Sequence, residues 1–174
     1  MDPGNLGAIL RTAYFLGVDA VTISTHQSAP LTPVALKASA GASENITLFS
    51  VSKVEEFLEE SGKNGWQIYA AVAPPSGTNA RKGHFLSTST LNAPLDKSPV
   101  VLMVGGEGEG LRYRLQKQAH HYIGIGGARA GLGGVDSLNV SVASALLTDA
   151  FLRPYTVAGR TTTESSQPPE ERVF

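Results

Sequence analysis

Apolar positions along the chain switch repeatedly between helical and strand spacing. Leu6, Ile9, Leu10 and Ala13 fall three or four residues apart, which predicts a helix over 6–16 that Gly17 stops. Before it, residues 1–4 read as a turn. The β-branched run 20–24 predicts a strand, and Thr32-Pro33 opens a second helix to about Ala40, with Thr32 as its cap. A strand follows over 46–51. The helix over 52–64 is the clearest: Val54, Phe57 and Leu58 form its apolar stripe, Glu55, Glu56, Glu59 and Glu60 face water, and Gly65 ends it.

The second half continues the alternation. Residues 67–73 predict a strand, and 74–98 a long polar stretch with at most one short element. The unbroken apolar run in 99–104 predicts a strand covered on both faces. A helix over 111–120 and a strand over 122–125 come next. The last helix, over 138–151, carries Leu138, Val142, Ala143, Leu146, Leu147 and Ala150 on one side, with Asp136 or Ser137 to cap it. From Pro154 the chain turns to Thr, Ser, Pro and Glu, and 156–174 reads as a disordered tail. Strand–helix alternation of this kind predicts an α/β fold, a parallel sheet flanked by helices. Glycine-rich loops at 105–110 and 126–134 each follow a predicted strand. The strand over 99–104 is expected to be the most buried, and ligands of such sheets sit beyond the carboxyl ends of the strands, so the loop at 105–110 is the candidate pocket.

Composition narrows the chemistry. A chain of 174 residues with 41% apolar residues suits one folded domain. It has no cysteine, which excludes disulfides, thiolate catalysis and thiolate metal sites. His26, His84, His120 and His121 lack a metal-ligand spacing, so no metal is expected. No apolar run is long enough for a membrane helix. The net charge is −1, unlike a non-specific nucleic-acid binder. The charges are unevenly spread, however. No acid lies between Gly110 and Val135, where Arg112, Arg114, Lys117 and Arg129 stand, so a locally basic face is open. The chain opens directly on a turn and a helix with no signal segment, and it reads as a piece cut from something longer.

The glycine loops fit none of the common phosphate cradles. No P-loop motif occurs, and Gly106-Glu107-Gly108-Glu109-Gly110-Leu111 breaks the dinucleotide fingerprint at its last position. A nucleotide-binding oxidoreductase fails on this spacing. No G-x-S-x-G elbow is present. A loop of glycines and carboxylates suits a cationic or neutral ligand, such as a sulfonium or an adenine with its ribose.

Three segments carry a more specific signal. They are Asp2-Pro3-Gly4-Asn5-Leu6-Gly7-Ala8-Ile9-Leu10-Arg11-Thr12-Ala13, Val104-Gly105-Gly106-Glu107-Gly108-Glu109-Gly110-Leu111 and Val135-Asp136-Ser137-Leu138-Asn139-Val140-Ser141-Val142-Ala143. In this order they resemble the three motifs of the TrmH family of SPOUT RNA ribose 2′-O-methyltransferases, over about residues 2–153. Within that family the chain resembles the guanosine 2′-O-methyltransferases of large-subunit rRNA, with the fungal mitochondrial form as first expectation and a cytoplasmic location otherwise. The segment Ser39-Ala40-Gly41-Ala42-Ser43-Glu44 is similar to their second helix and its end. The resemblance implies a SPOUT-type sheet with a deep trefoil knot near its carboxyl end, a feature no pattern reading gives because knots are rare. It further implies S-adenosyl-L-methionine as cofactor, large-subunit rRNA as substrate and a homodimer. A methyltransferase domain over 1–155 is expected, lacking the family's usual first strand and amino-terminal substrate domain.

Residue by residue, the resemblance implies a catalytic set of Arg11, Asn5, Glu107, Ser137 and Asn139. It implies a cofactor site of Gly105, Gly106, Gly108, Ile125 and Leu138, held mainly through backbone groups. Two roles are open to Arg11: to activate the ribose 2′-hydroxyl, or to orient a phosphate and stabilise charge while another group takes the proton. Asn5 positions Arg11 or the loop, or caps its helix. Glu107 organises Arg11 or the knot, Asn139 holds the arginine region, and Ser137 shapes the knot. On composition alone Ile125 and Leu138 are also plain core residues. The stretch Gly126-Gly127-Ala128-Arg129-Ala130-Gly131-Leu132-Gly133-Gly134 is longer than the proline-containing turn common in relatives. A module that keeps the fold and binds RNA without catalysis is the alternative; the intact residue set favours the enzyme.

Overall fold

The protein is seen in a computed structural model, which describes residues 2–26, 28–73, 85–106, 110–127 and 137–153. Glu107, Gly108, most of the second glycine-rich loop and the predicted tail lie outside the described residues.

The first helix, α1 (Pro3–Leu16), starts earlier than its apolar spacing suggests. Residues 2–4 are not a separate turn: Asp2 caps the helix, its Oδ1 accepting the N–H groups of Gly4 at 2.8 Å and Asn5 at 3.2 Å, and Pro3 opens it. Gly17 ends it with φ of +86°, a conformation that costs glycine little. β1 (Ala20–Ser24) then pairs in parallel with β2 (Thr47–Val51), in register from Ala20 opposite Thr47 to Ser24 opposite Val51. Between them lie α2 (Pro33–Ser39), capped by Thr32, and the single turn α3 (Ala42–Asn45). α1 packs very closely on α2. A Cβ on Gly7 would stand 2.3 Å from the Ala35 carbonyl oxygen, so only glycine fits there.

α4 (Val54–Lys63) buries Leu58 and leaves its glutamates exposed, as its stripe predicts. Hydrogen bonds that the Lys63 ammonium donates to Glu60 and Glu59 hold it charged above the usual lysine range. These are exposed pairs, and they contribute little to stability.

The second sheet contains β3 (Gln67–Ala71), β4 (Phe85–Ser87), β5 (Val100–Met103) and β6 (His121–Gly124), in the order β4-β6-β3-β5. Every described strand pair is parallel. Alternation along β3 covers the sheet on both faces. Ile68 and Ala70 pack with Leu58 of α4, Met103, Leu111 and Leu115, while Tyr69 packs with Ile123, Leu147 and Phe151 on the other side. A third cluster, Leu6, Leu10, Ala13, Ala29 and Ile46, sits under α1.

Two expectations change here. β5 is not the most buried strand; β3 is, because among the described strands β5 has β3 as its single neighbour. The helix over 111–120 shrinks to one turn, α5 (Tyr113–Gln116). The sheet takes the end of that segment: the His120 N–H donates to the Ile68 carbonyl at 2.9 Å, and its Nδ1 accepts the Ile68 N–H at 3.2 Å.

The last helix, α6 (Val140–Leu152), also differs. Val140, Leu147 and Phe151 point inward, whereas Leu138, Val142 and Leu146 are exposed. The apolar residues read as one stripe therefore divide between two faces.

Candidate functional site

The loop after β5 is closed at its neck. Gly106 and Gly110 form an antiparallel bridge, with the Gly110 N–H donating to the Gly106 carbonyl at 3.1 Å. Gly105 must be glycine: a Cβ there would lie 2.2 Å from the Gly110 carbonyl carbon and 2.3 Å from the Leu111 nitrogen. Gly110 takes φ of +65°, the left-handed region.

Register then relates the two glycine-rich loops. Met103, Ala70 and Tyr122 stand side by side across β5, β3 and β6. Gly105 and Gly124 therefore leave the sheet at the same level. One strand separates them, two interstrand spacings or about 10 Å. Gly124 is a position to which the sequence motifs give no role. A Cβ on it would meet the Val72 carbonyl at 2.7 Å and the Phe85 ring at 2.8 Å. Ile125, next in the chain, is half-buried against the Tyr69 cluster. Leu138 is exposed and so is not a core residue.

The start of α6 is tied to the start of α1. Asn139 caps α6: its Oδ1 accepts the Ser141 N–H at 2.9 Å, the Ser141 hydroxyl at 2.6 Å and the Val142 N–H at 3.4 Å. The cap is thus Asn139, not Asp136 or Ser137. With Oδ1 taken by these donors, its Nδ2 faces α1 and donates to Asn5 Oδ1 at 3.1 Å. One side chain joins the first and third motifs, 134 residues apart. Asn5 is not the cap of its own helix, which is Asp2.

Arg11 is exposed and lies about 9 Å further along α1 than Asn5, a third of a turn round. Among the described residues the ion pairs are Lys53–Glu56, Lys63 with Glu59 and Glu60, and Arg153–Asp149, so the Arg11 guanidinium is not in one of them. Ser137 is exposed two residues before the cap. Gly105 and Gly106 thus open the first loop, Ile125 precedes the second, Leu138 follows it in the chain, and Asn139 is joined to Asn5.

Replacing Asn139 separates its two jobs. Asn139→Ala loses both and is expected to cost about 1–2 kcal/mol, the range for a lost N-cap. Asn139→Asp keeps the cap and loses the donor to Asn5. Denaturant unfolding should rank wild type above Asp and Asp above Ala. Equal stability of wild type and the Asp variant would mean that the hydrogen bond to Asn5 contributes nothing.

Comparison with known proteins bears on the family and the fold. The profile of the SpoU rRNA Methylase family matches residues 1–149. The chain is 42% identical over 159 residues to the mitochondrial rRNA methyltransferase 1 of Saccharomyces cerevisiae, covering 87% of this chain and 39% of that protein. It superposes on an AdoMet-bound rRNA methyltransferase from Sinorhizobium meliloti with a TM-score of 0.70 and 26% identity, covering 86% of this chain and 51% of the other. An RNA 2′-O ribose methyltransferase structure gives a TM-score of 0.66 and 29% identity, over 87% and 52% of the two chains. The chain thus spans about two fifths to one half of the length of these relatives.

Proposed function

The chain belongs to the SpoU rRNA methylase family, and on that premise we propose that it methylates the 2′-oxygen of a ribose in large-subunit rRNA, with S-adenosylmethionine as methyl donor. The observation that carries this reading is the hydrogen bond between Asn139 and Asn5. It holds the first and third motifs together, while the second motif leaves the sheet level with the strand that leads into the third.

The site suits the cofactor. Gly105 and Gly124 leave the sheet about 10 Å apart and lead into the two glycine-rich loops, whose backbone donors and acceptors suit a flat heterocycle and its ribose. The pinch at Gly105 leaves no room for a side chain in the neck of the first loop, against Gly110 and Leu111. Gly105, Gly106, Gly108, Ile125 and Leu138 would hold it, and when bound it supplies a methyl group on a cationic sulfur. As the 2′-oxygen takes that group, the 2′-hydroxyl would give its proton to solvent and S-adenosylhomocysteine would leave. Arg11 is the residue for this step: an exposed guanidinium can grip an RNA phosphate and stabilise charge growing on the ribose oxygen. Asn139 and Asn5 fix the helix that carries it. In the same reading Glu107 and Ser137 organise a trefoil knot that encloses the cofactor. The target is a guanosine, and the yeast relative's name supports a mitochondrial location.

A homodimer completes the proposal, with Arg11 facing the partner's cofactor. Its support is apolar surface without a cover. Val142 and Leu146 are exposed four residues apart on α6, Leu138 just before the helix is exposed too, and Phe15 of α1 is 85% exposed. Val142→Glu with Leu146→Glu should turn a wild-type dimer into an 18.2 kDa monomer in light scattering. A wild type that is monomeric at micromolar concentration contradicts the dimer. The methylation itself is tested by transfer of tritium from labelled S-adenosylmethionine to large-subunit rRNA.

A further inference from the structure

We infer that α5 and the residues on either side of it form an RNA-gripping patch: Arg112, Arg114 and Lys117 hold phosphates of an unpaired strand, and Tyr113 stacks on one of its bases. The inference rests on the methyltransferase reading and deepens it by assigning where the substrate strand lies.

The four side chains are all exposed, and Tyr113 is 71% so. The Lys117 ammonium lies 4.7 Å from the centre of the Tyr113 ring, so ring and cations form one surface. Among the described residues, none of the ion pairs involves Arg112, Arg114 or Lys117. These are cations on a chain of net charge −1, within a stretch from Gly110 to Val135 that has no acid. Exposed cations with an exposed aromatic ring are what a single-stranded nucleic acid needs, since phosphates follow the charge and any base stacks on the ring.

The position fits as well. Arg112 comes two residues after Gly110, which closes the neck of the candidate cofactor loop. The patch forms one wall of a cleft of about 690 Å³. Ser24 at the end of β1, His26 beyond it, and Lys53, Glu55 and Glu56 after β2 also line the cleft. Lys53 pairs with Glu56 at 2.9 Å there, and the acids repel phosphate. A strand entering the cleft is thus driven onto the arginine side, which leads back to the loop neck and the reacting ribose.

Fluorescence anisotropy with a short labelled single-stranded RNA tests the patch directly, over a series of salt concentrations. Arg112→Ala with Arg114→Ala should weaken binding at least tenfold at low salt. It should also reduce the slope of log affinity against log salt by about 0.7 for each phosphate left without its arginine. Tyr113→Ala should weaken binding about tenfold with the slope unchanged, and Tyr113→Phe should bind as wild type does. S-adenosylhomocysteine binding, measured on the same samples, should not change in any of the four proteins. Wild-type RNA affinity and salt slope in the double arginine variant would overturn the patch, as would no RNA binding by wild type. Tighter binding of polyglutamate than of RNA would overturn it too, by assigning the surface to an acidic protein. Failure of the parent reading looks different: RNA bound through the patch, with no methyl transferred to it by wild type.

Discussion

Arg11→Ala is expected to abolish methyl transfer and leave cofactor affinity nearly unchanged. The side chain stands exposed on α1, outside both glycine-rich loops, so its truncation removes nothing that shapes the cofactor pocket. In the proposed reaction its guanidinium would act where charge develops as the ribose hydroxyl loses its proton, an interaction stronger in the transition state than in the ground state. Loss of one such group costs about 10²–10³ in rate, and more where the group also takes part in the proton transfer. Arg11→Lys should rescue poorly, because an ammonium lacks the planar fork that can hold a phosphate and a hydroxyl together. Single-turnover transfer and cofactor titration on the same variant check both halves. Near-normal transfer by Arg11→Ala would leave Arg11 a surface residue.

Gly105→Ala should do the opposite, removing cofactor binding before chemistry begins. The new methyl group would lie 2.2 and 2.3 Å from backbone atoms of Gly110 and Leu111, which cannot swing aside as a side chain can. Either the neck opens or the end of β5 shifts, and both move the loop. Overpacking of this kind costs about 1–3 kcal/mol. If that cost falls on the loop, cofactor affinity drops roughly 10- to 100-fold. Gly62→Ala on α4, where the nearest atom to the new Cβ is 3.4 Å away, is the control for glycine replacement as such. Calorimetric titration of S-adenosylhomocysteine decides it. Wild-type affinity in Gly105→Ala would show that the neck does not shape the cofactor site.

What the sequence makes legible follows from how local each signal is. β1 is read at its observed bounds because a short β-branched run between turn residues has few other outcomes. α2 is read with its cap because Thr32-Pro33 is a local start signal. α5 is overextended by its pattern because its end is set by the sheet, which claims both the backbone and the ring of His120 through Ile68. The inward face of α6 is misassigned because the helix is apolar on two sides, and periodicity does not say which side meets Tyr69 and Ile123.

The site is legible unevenly for the same reason. The motifs identify Asn5 and Asn139, yet nothing in either segment says that the two amides meet or that Asn139, not Ser137, caps the helix. The demand for glycine at 105 is visible in a glycine-rich loop, whereas at 7 and 124 it arises from neighbours distant in sequence: Ala35 of α2 for Gly7, and Val72 and Phe85 for Gly124.

The most direct test is the position of the transferred methyl group. The protein is incubated with tritiated S-adenosylmethionine and large-subunit rRNA, and the RNA is then hydrolysed in alkali, which needs a free 2′-hydroxyl to cut the chain. The account predicts tritium in a single alkali-resistant dinucleotide whose first residue is a guanosine, and no tritium there with Arg11→Ala. Label on a base, or no label in RNA while the cofactor binds, would contradict it.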